Sequence, residues 1–142
     1  MASELPVTIR SARPDEIDEI LKVWRDAGLG IRPGDAPGSL ESLLAHDPES
    51  LLVAEEDGRI VGTLIAVWDG WRAGLYRLGV HPDFRRRGIG TALVHAGEQR
   101  LASRGANRII AAVGRENSAA TRFWKSVGYD VQDVYRLFKD IG

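Results

Sequence analysis

Leu75-Tyr76-Arg77-Leu78-Gly79-Val80, followed after four residues by Arg85-Arg86-Arg87-Gly88-Ile89-Gly90, decides how this chain folds. The first stretch reads as a strand, and the second as a glycine-bearing loop that opens a helix. The first N–H groups of a helix have no intrahelical partner, and its dipole is positive at that end. Such a start is therefore a ready anion site. Gly88 and Gly90 let a bulky phosphate approach the backbone without Cβ interference. The three arginines add long-range attraction for negative charge. A phosphate-bearing ligand is expected here.

Upstream of this strand, residues 51–55 and 60–67 read as two more strands. Asp57-Gly58 between them is a type I′ hairpin signal, and Asp69-Gly70 marks a second hairpin leading into 75–80. Residues 7–10 make a short first strand. Pro14 suits the first position of a helix, with Asp15 and Glu16 in its first turn. Ile17, Ile20, Leu21 and Trp24 follow at helical spacing. Four glycines and two prolines within residues 27–38 break that helix into a long loop of a kind that is often functional. Ser39 is expected to cap a second helix holding Leu40, Leu43 and Leu44.

Downstream, Ile89, Leu93, Val94, Gly97 and Leu101 lie on a helix that Gly105 stops. Residues 108–113 form a continuous apolar run, expected to be a strand buried on both faces. Ala120, Phe123, Trp124 and Val127 mark a last helix ending near Gly128, and residues 129–139 are expected to hold one or two short strands. The order β-α-α-β-β-β-α-β-α-β predicts an α/β protein with a mixed sheet, as a single domain over 1–142.

Composition narrows the chemistry. Nineteen Lys and Arg against twenty Asp and Glu leave a net charge of −1, so the surface as a whole does not suit nucleic acid. The Arg85–Arg87 cluster is then a local site rather than part of a basic face. Without cysteine there is no thiol nucleophile, disulfide or thiolate metal site, and three scattered histidines make no zinc centre. No apolar stretch approaches the ~20 residues that cross a bilayer. The first residues lack a charged and then apolar leader, which makes a cytoplasmic protein the expectation. A P-loop hydrolase is disfavoured because Thr91 follows Gly90 without the phosphate-reaching lysine.

Three segments together resemble the GCN5-related N-acetyltransferase (GNAT) family. Leu78-Gly79-Val80-His81-Pro82-Asp83-Phe84 looks like the end of that family's fourth strand. Arg85-x-x-Gly88-x-Gly90 matches its pyrophosphate loop, and Asn117 through Gly128-Tyr129 is similar to its N-x-x-A-x-x-[F/L]-Y-x-x-x-G-F segment. The resemblance implies a mixed, mostly antiparallel sheet with strands four and five splayed apart, flanked by about four helices. It implies acetyl-CoA as cosubstrate, no metal, and an amine acceptor that the sequence does not name. Backbone groups of Leu78, Gly79 and Val80 would pair with the acetyl and pantetheine portion as an exposed strand edge pairs with a peptide. The pyrophosphate would lie on the N–H groups of Arg86, Arg87, Gly88, Ile89, Gly90 and Thr91, beside Arg85, and Asn117 would contact the pantetheine arm. Gly79 is expected to permit the bulge that opens the splay.

Direct attack of a neutral amine on the thioester is the implied reaction. The candidates for handling the acceptor's proton are Tyr76 on strand four and Glu116 before the last helix, with His81, a third titratable group, pointing by its place before Pro82 to a turn or cofactor-side role. Trp124 stands where family members commonly place a tyrosine near the departing sulfur, and an indole cannot act as a general acid there. Ala112 stands where protein N-terminal acetyltransferases of the family often carry a glutamate. Glu55-Glu56-Asp57, the one acidic run, reads as solvated. The acceptor wall is expected from the 27–38 loop, the Trp68–Arg72 hairpin and the C-terminal strands. An open site there suits a peptide, or closure by a second subunit as a homodimer. The alternative function is an acyl-CoA-binding sensor or regulatory module with little catalysis.

Overall fold

Asp57 (φ 52°) and Gly58 (φ 78°) both lie in the left-handed region, as a type I′ turn requires, and join β2 (Leu51–Glu56) to β3 (Arg59–Trp68). The structure, a computed structural model, describes residues 7–30, 32–114 and 117–142. β1 (Thr8–Ser11) pairs antiparallel with β2, and β4 (Ala73–Val80) pairs antiparallel with β3 across the Asp69-Gly70 turn. β5 (Ile109–Ala111) lies parallel to β4, so the sheet runs β1-β2-β3-β4-β5. The helices are α1 (Ile17–Asp26), α2 (Pro37–His46), α3 (Ile89–Ser103) and α4 (Ser118–Ser126). Mixed and mostly antiparallel pairing, with four α-helices among the described residues, is the architecture that the resemblance implied. The described residues divide after Ala112 into two units, with the sheet and α1–α3 in the first and α4 in the second.

The first unit has a core on each face of the sheet. Ile20 and Trp24 of α1 are fully buried, clustered with Leu40 and Leu44 of α2 and with Leu51, Val53 and Ile65. Each such aliphatic side chain contributes about 1.5–3 kcal/mol when fully buried. Leu93, Val94 and Leu101 of α3 are also fully buried. α3 packs close because Gly97 carries no Cβ, which would stand 3.0 Å from side chains of both Leu64 and Leu75. At the sheet's far edge Arg10 ties three elements together. It donates to Glu16 at 2.9 and 2.7 Å and to Glu55 at 2.7 Å.

Several expectations change. α2 begins at Pro37 with Ala36 as its N-cap, because Pro is preset for the first helical position. Ser39 therefore lies inside the first turn and does not cap it. β5 spans three residues, and its Ile110 is 43% exposed, so it is not buried on both faces. Residues 129–139 form no strand, and Val131, Val134, Tyr135, Leu137 and Phe138 are exposed. That stretch has β-prone residues, but β propensity is context-dependent and does not by itself make a strand. Glu55 and Glu56 are paired with Arg10 and Arg87 rather than solvated, because their strand brings them alongside those arginines.

Candidate active site

Thr63 pairs with Gly79 and Ile65 with Tyr76, so two steps along β3 oppose three along β4. The extra residue is a bulge, and Arg77 takes it at φ 57°. The expectation placed this device at Gly79; the register puts it two residues earlier. Gly79 serves a different end. A Cβ there would stand 2.9 Å from Cδ1 of Leu29, so its bareness seats the segment after α1 against β4.

A non-glycine residue in the left-handed region costs about 1–2 kcal/mol. Contacts at both ends of Arg77 offset that. Its carbonyl accepts from Thr63 Oγ1 at 3.0 Å, and Thr63 Oγ1 accepts from the buried Trp24 Nε1 at 2.7 Å. Its guanidinium donates to the Leu29 carbonyl at 2.9 Å, pairs with Asp35, and lies 5.1 Å from the Trp24 ring centroid. Asp35 in turn accepts from the Arg32 backbone N–H at 2.8 Å.

On its other side β4 meets β5 only from Ala73↔Ile109 to Leu75↔Ala111. Past Leu75, the β4 edge from Tyr76 to Val80 has no strand beside it among the described residues. This is the splay. Leu78 and Val80 are partly exposed there, and Gly79 is buried beneath Leu29.

The edge leads into the phosphate loop. His81 Nδ1 accepts from Asp83 N–H at 3.1 Å and caps the turn Pro82–Phe84, which is the turn role of the two readings its place before Pro82 allows. The arginines then part company. Arg85 donates from Nε to the Val80 carbonyl and from Nη2 to the Ala27 carbonyl, both at 3.1 Å. Arg87 donates to Glu56 at 3.1 Å and stacks 4.9 Å from the Phe84 centroid, whose ring also takes Arg59 at 5.1 Å. Arg86, at φ 64° and exposed, makes no such bond to the described residues. Gly88 is the N-cap of α3 at φ 80° and has no side chain to cap it. The first α-type bond is Ala92 N–H to Gly88 at 3.0 Å, which leaves the N–H groups of Ile89, Gly90 and Thr91 at the helix mouth. Ile89 is 1% exposed, so its side chain anchors this turn in the core.

Tyr76 lines a cleft of about 210 Å³ together with His46, Asp47, Trp68, Asp69 and Arg72. Backbone N–H groups of Arg72 and Trp71 donate to Asp69 at 2.6 and 2.7 Å and hold its carboxyl below the usual range. Burial alone would raise the Asp47 carboxyl, but its pairing with Arg100 leaves it lowered. Trp71 is 78% exposed at the hairpin tip and stacks 4.5 Å from the Arg72 guanidinium.

In the second unit, Asn117 caps α4 by accepting from Ala120 N–H at 3.0 Å. Trp124 is buried, edge-on to Phe123 at 5.6 Å and to Tyr129 at 5.0 Å. Glu116 lies outside the described residues. Sequence reading missed Arg77, Asp35 and Thr63. The one available signal was a lone arginine inside an apolar strand.

The sequence model of the Acetyltransferase (GNAT) family matches residues 15–129. An acetyltransferase of Yersinia pestis (strain Pestoides F) is 38% identical over 132 residues, covering 92% of this chain and 93% of that protein. Among solved structures, Ard1 from Thermoplasma volcanium superposes with a TM-score of 0.81 at 23% identity, over 90% of this chain and 85% of that one. The PaiA N-acetyltransferase from Thermoplasma acidophilum, solved in complex with coenzyme A, gives 0.79 at 20% identity, over 91% and 92%. The splayed β4 edge and the glycine-capped α3 thus stand in a chain that belongs to the GNAT family of N-acetyltransferases.

Proposed function

We propose that this chain acts as one domain that transfers the acetyl group of acetyl-CoA to a primary amine. The observation that carries this reading is the unpaired β4 edge from Tyr76 to Val80, continuous through the loop with the uncapped mouth of α3. An amide-bearing arm fits the first and a pyrophosphate fits the second. The family match, which runs unbroken across both units, supports treating them as a single domain.

Acetyl-CoA supplies an acyl group activated as a thioester. Backbone groups of Leu78, Gly79 and Val80 hold the arm in register, although the Val80 carbonyl already accepts one bond from Arg85. N–H groups from Arg86 to Thr91 receive the pyrophosphate. Arg86 is the arginine best placed to add its charge, since Arg85 and Arg87 are already bonded. A backbone N–H at the bulge stabilises the charge that develops on the thioester oxygen. The cleft beside Tyr76 receives the acceptor, and its ionised Asp69 favours a group that arrives as a cation. Asn117 and Trp124 are assigned to the arm by family resemblance alone.

A second reading, an acyl-CoA sensor with little turnover, is favoured by Trp124, which is buried among rings and carries no titratable hydroxyl. One assay separates the two. Thiol release from acetyl-CoA is followed with peptide N-termini, lysine side chains, free amino acids and amine drugs. Amine-dependent release supports the transferase; tight CoA binding with release no faster than hydrolysis supports the sensor.

A further inference from the structure

The bulge in β4 is held from both ends of a single residue. The Arg77 carbonyl accepts from Thr63 Oγ1, on the β3 side. Across a trans peptide the following N–H points opposite to that carbonyl, and the described chain has no cis bond. The Leu78 N–H is thereby directed away from β3, toward the edge that β5 leaves unpaired. Arg77 holds that direction in a left-handed conformation, at φ 57°. Trp24 fixes Thr63 at 2.7 Å and also carries the Arg77 guanidinium on its ring face, which closes a ring of contacts around the bulge.

The other end of the ring is not on the sheet. The Arg77 side chain is 14% exposed and its partner Asp35 is 12% exposed, an ion pair almost fully withdrawn from water. Asp35 ends a short turn, Pro33–Asp35, inside the glycine-rich segment between α1 and α2. A buried pair of this kind adds little net stability compared with an apolar one, but it imposes one geometry. The same guanidinium holds the Leu29 carbonyl, and Leu29 covers Gly79. Leu29 and Asp35 thereby join the segment to the bulge.

We propose that Arg77 is a positioning residue: through Asp35 and Leu29 it latches the α1–α2 segment to the β4 bulge and so aims the Leu78 N–H at the reacting carbonyl oxygen. The inference rests on the acetyl-CoA reading above. Its consequence is a coupling in which the wall of the acceptor side and the donor of the acyl side share one salt bridge.

The test compares wild type, Arg77→Gln and Asp35→Asn in the full chain, each labelled with ¹⁵N and titrated with acetyl-CoA and with CoA. In wild type the Leu78 amide resonance is expected to shift with acetyl-CoA and much less with CoA, which lacks the carbonyl. Both variants are expected to keep CoA affinity within about two-fold, since the bonds of Arg77 and Asp35 do not involve residues 85–91, and to lose that difference at Leu78. Asp35 lies outside β4, so its effect at Leu78 cannot be a local backbone change. With an acceptor from the amine assay, both variants should lose about ten-fold or more in kcat with little change in the KM for acetyl-CoA. That is the signature of a contact made chiefly in the transition state. Variants that are less stable to urea but keep the Leu78 difference and the kcat would show a structural ion pair and overturn the proposal. A wild-type chain that fails to bind CoA at all would instead overturn the acetyl-CoA reading.

Discussion

Tyr76 lies folded back over Gly74: a Cβ on Gly74 would stand 2.5 Å from the ring's Cε2 and 2.7 Å from its hydroxyl. The tyrosine therefore points along β4 toward the hairpin, into the cleft with Asp69, and not along the unpaired edge at Leu78–Val80. Tyr76 and Arg77 are neighbours whose side chains both reach the α1–α2 side, which only the bulge allows.

Gly74→Ala should thus act as a tyrosine variant. The new methyl cannot coexist with the ring, so the ring must swing out at a cost of about 1–3 kcal/mol for overpacking. CoA affinity by calorimetry should hold. The KM for the acceptor should rise, and Tyr76→Phe should show how much of that rise belongs to the hydroxyl. A full loss of CoA binding in Gly74→Ala would show that the cleft and the cosubstrate edge are not separate.

At the helix mouth two substitutions of Gly88 separate strain from charge. No atom lies within 4 Å of a Cβ built there, so Gly88→Ala meets only the left-handed φ of 80°, about 1–2 kcal/mol. Gly88→Glu carries the same strain, partly offset by a carboxylate near the positive end of the dipole. Its stability to urea should then equal or exceed that of the alanine variant. Calorimetry should show the opposite order for CoA: a weakened site in Gly88→Ala and none measurable in Gly88→Glu. Undiminished affinity in the glutamate variant would remove the pyrophosphate from this loop.

Thr63 offers a third check. Thr63→Val keeps shape but leaves the buried Trp24 Nε1 and the Arg77 carbonyl without their hydroxyl partner. Each unpaired buried polar group costs about 1–3 kcal/mol, so with two of them equilibrium urea unfolding should register a loss of about 2 kcal/mol or more. Thr63→Ser, which keeps the hydroxyl, should lose clearly less. A valine variant as stable as wild type would mean that the hydrogen-bond chain does not matter at this position.

The parts legible in the sequence were those written in short range. The Asp57-Gly58 turn, the α1 stripe through Ile20 and Trp24, and the Gly88 start of α3 each follow from a few adjacent residues. What stayed hidden is long-range. Asp35 and Arg77 are separated by 42 residues, and Trp24 and Thr63 by 39, so no local pattern joins them. The bulge at Arg77 was misplaced because a strand glycine is the usual marker, whereas here tertiary contacts force an arginine into that conformation. Residues 129–139 show the opposite failure. Propensity favours strands there, but β propensity alone does not make a strand where no ladder forms.

The last prediction concerns acid. The Arg10 side chain, donating to Glu16, holds that carboxyl below its ordinary value despite burial, with backbone N–H of Arg13 helping. A group whose folded pKa is depressed contributes stability that is fully present above its unfolded value of about 4.3 and is lost as pH falls through the folded one. Unfolding free energy from urea titrations should therefore be flat for this pair from neutral pH down to about 5, then fall. Glu16→Gln removes the titrating partner and leaves the Arg10 guanidinium, whose side chain is 23% exposed, with Glu55 as its remaining carboxylate. At neutral pH it should cost about 1–3 kcal/mol, less than a fully buried pair because Arg10 reaches solvent. The variant should then lose less than wild type between pH 5 and pH 3. An acid limb of the same slope in both proteins would assign the loss to other carboxylates, Asp47 with Arg100 first among them.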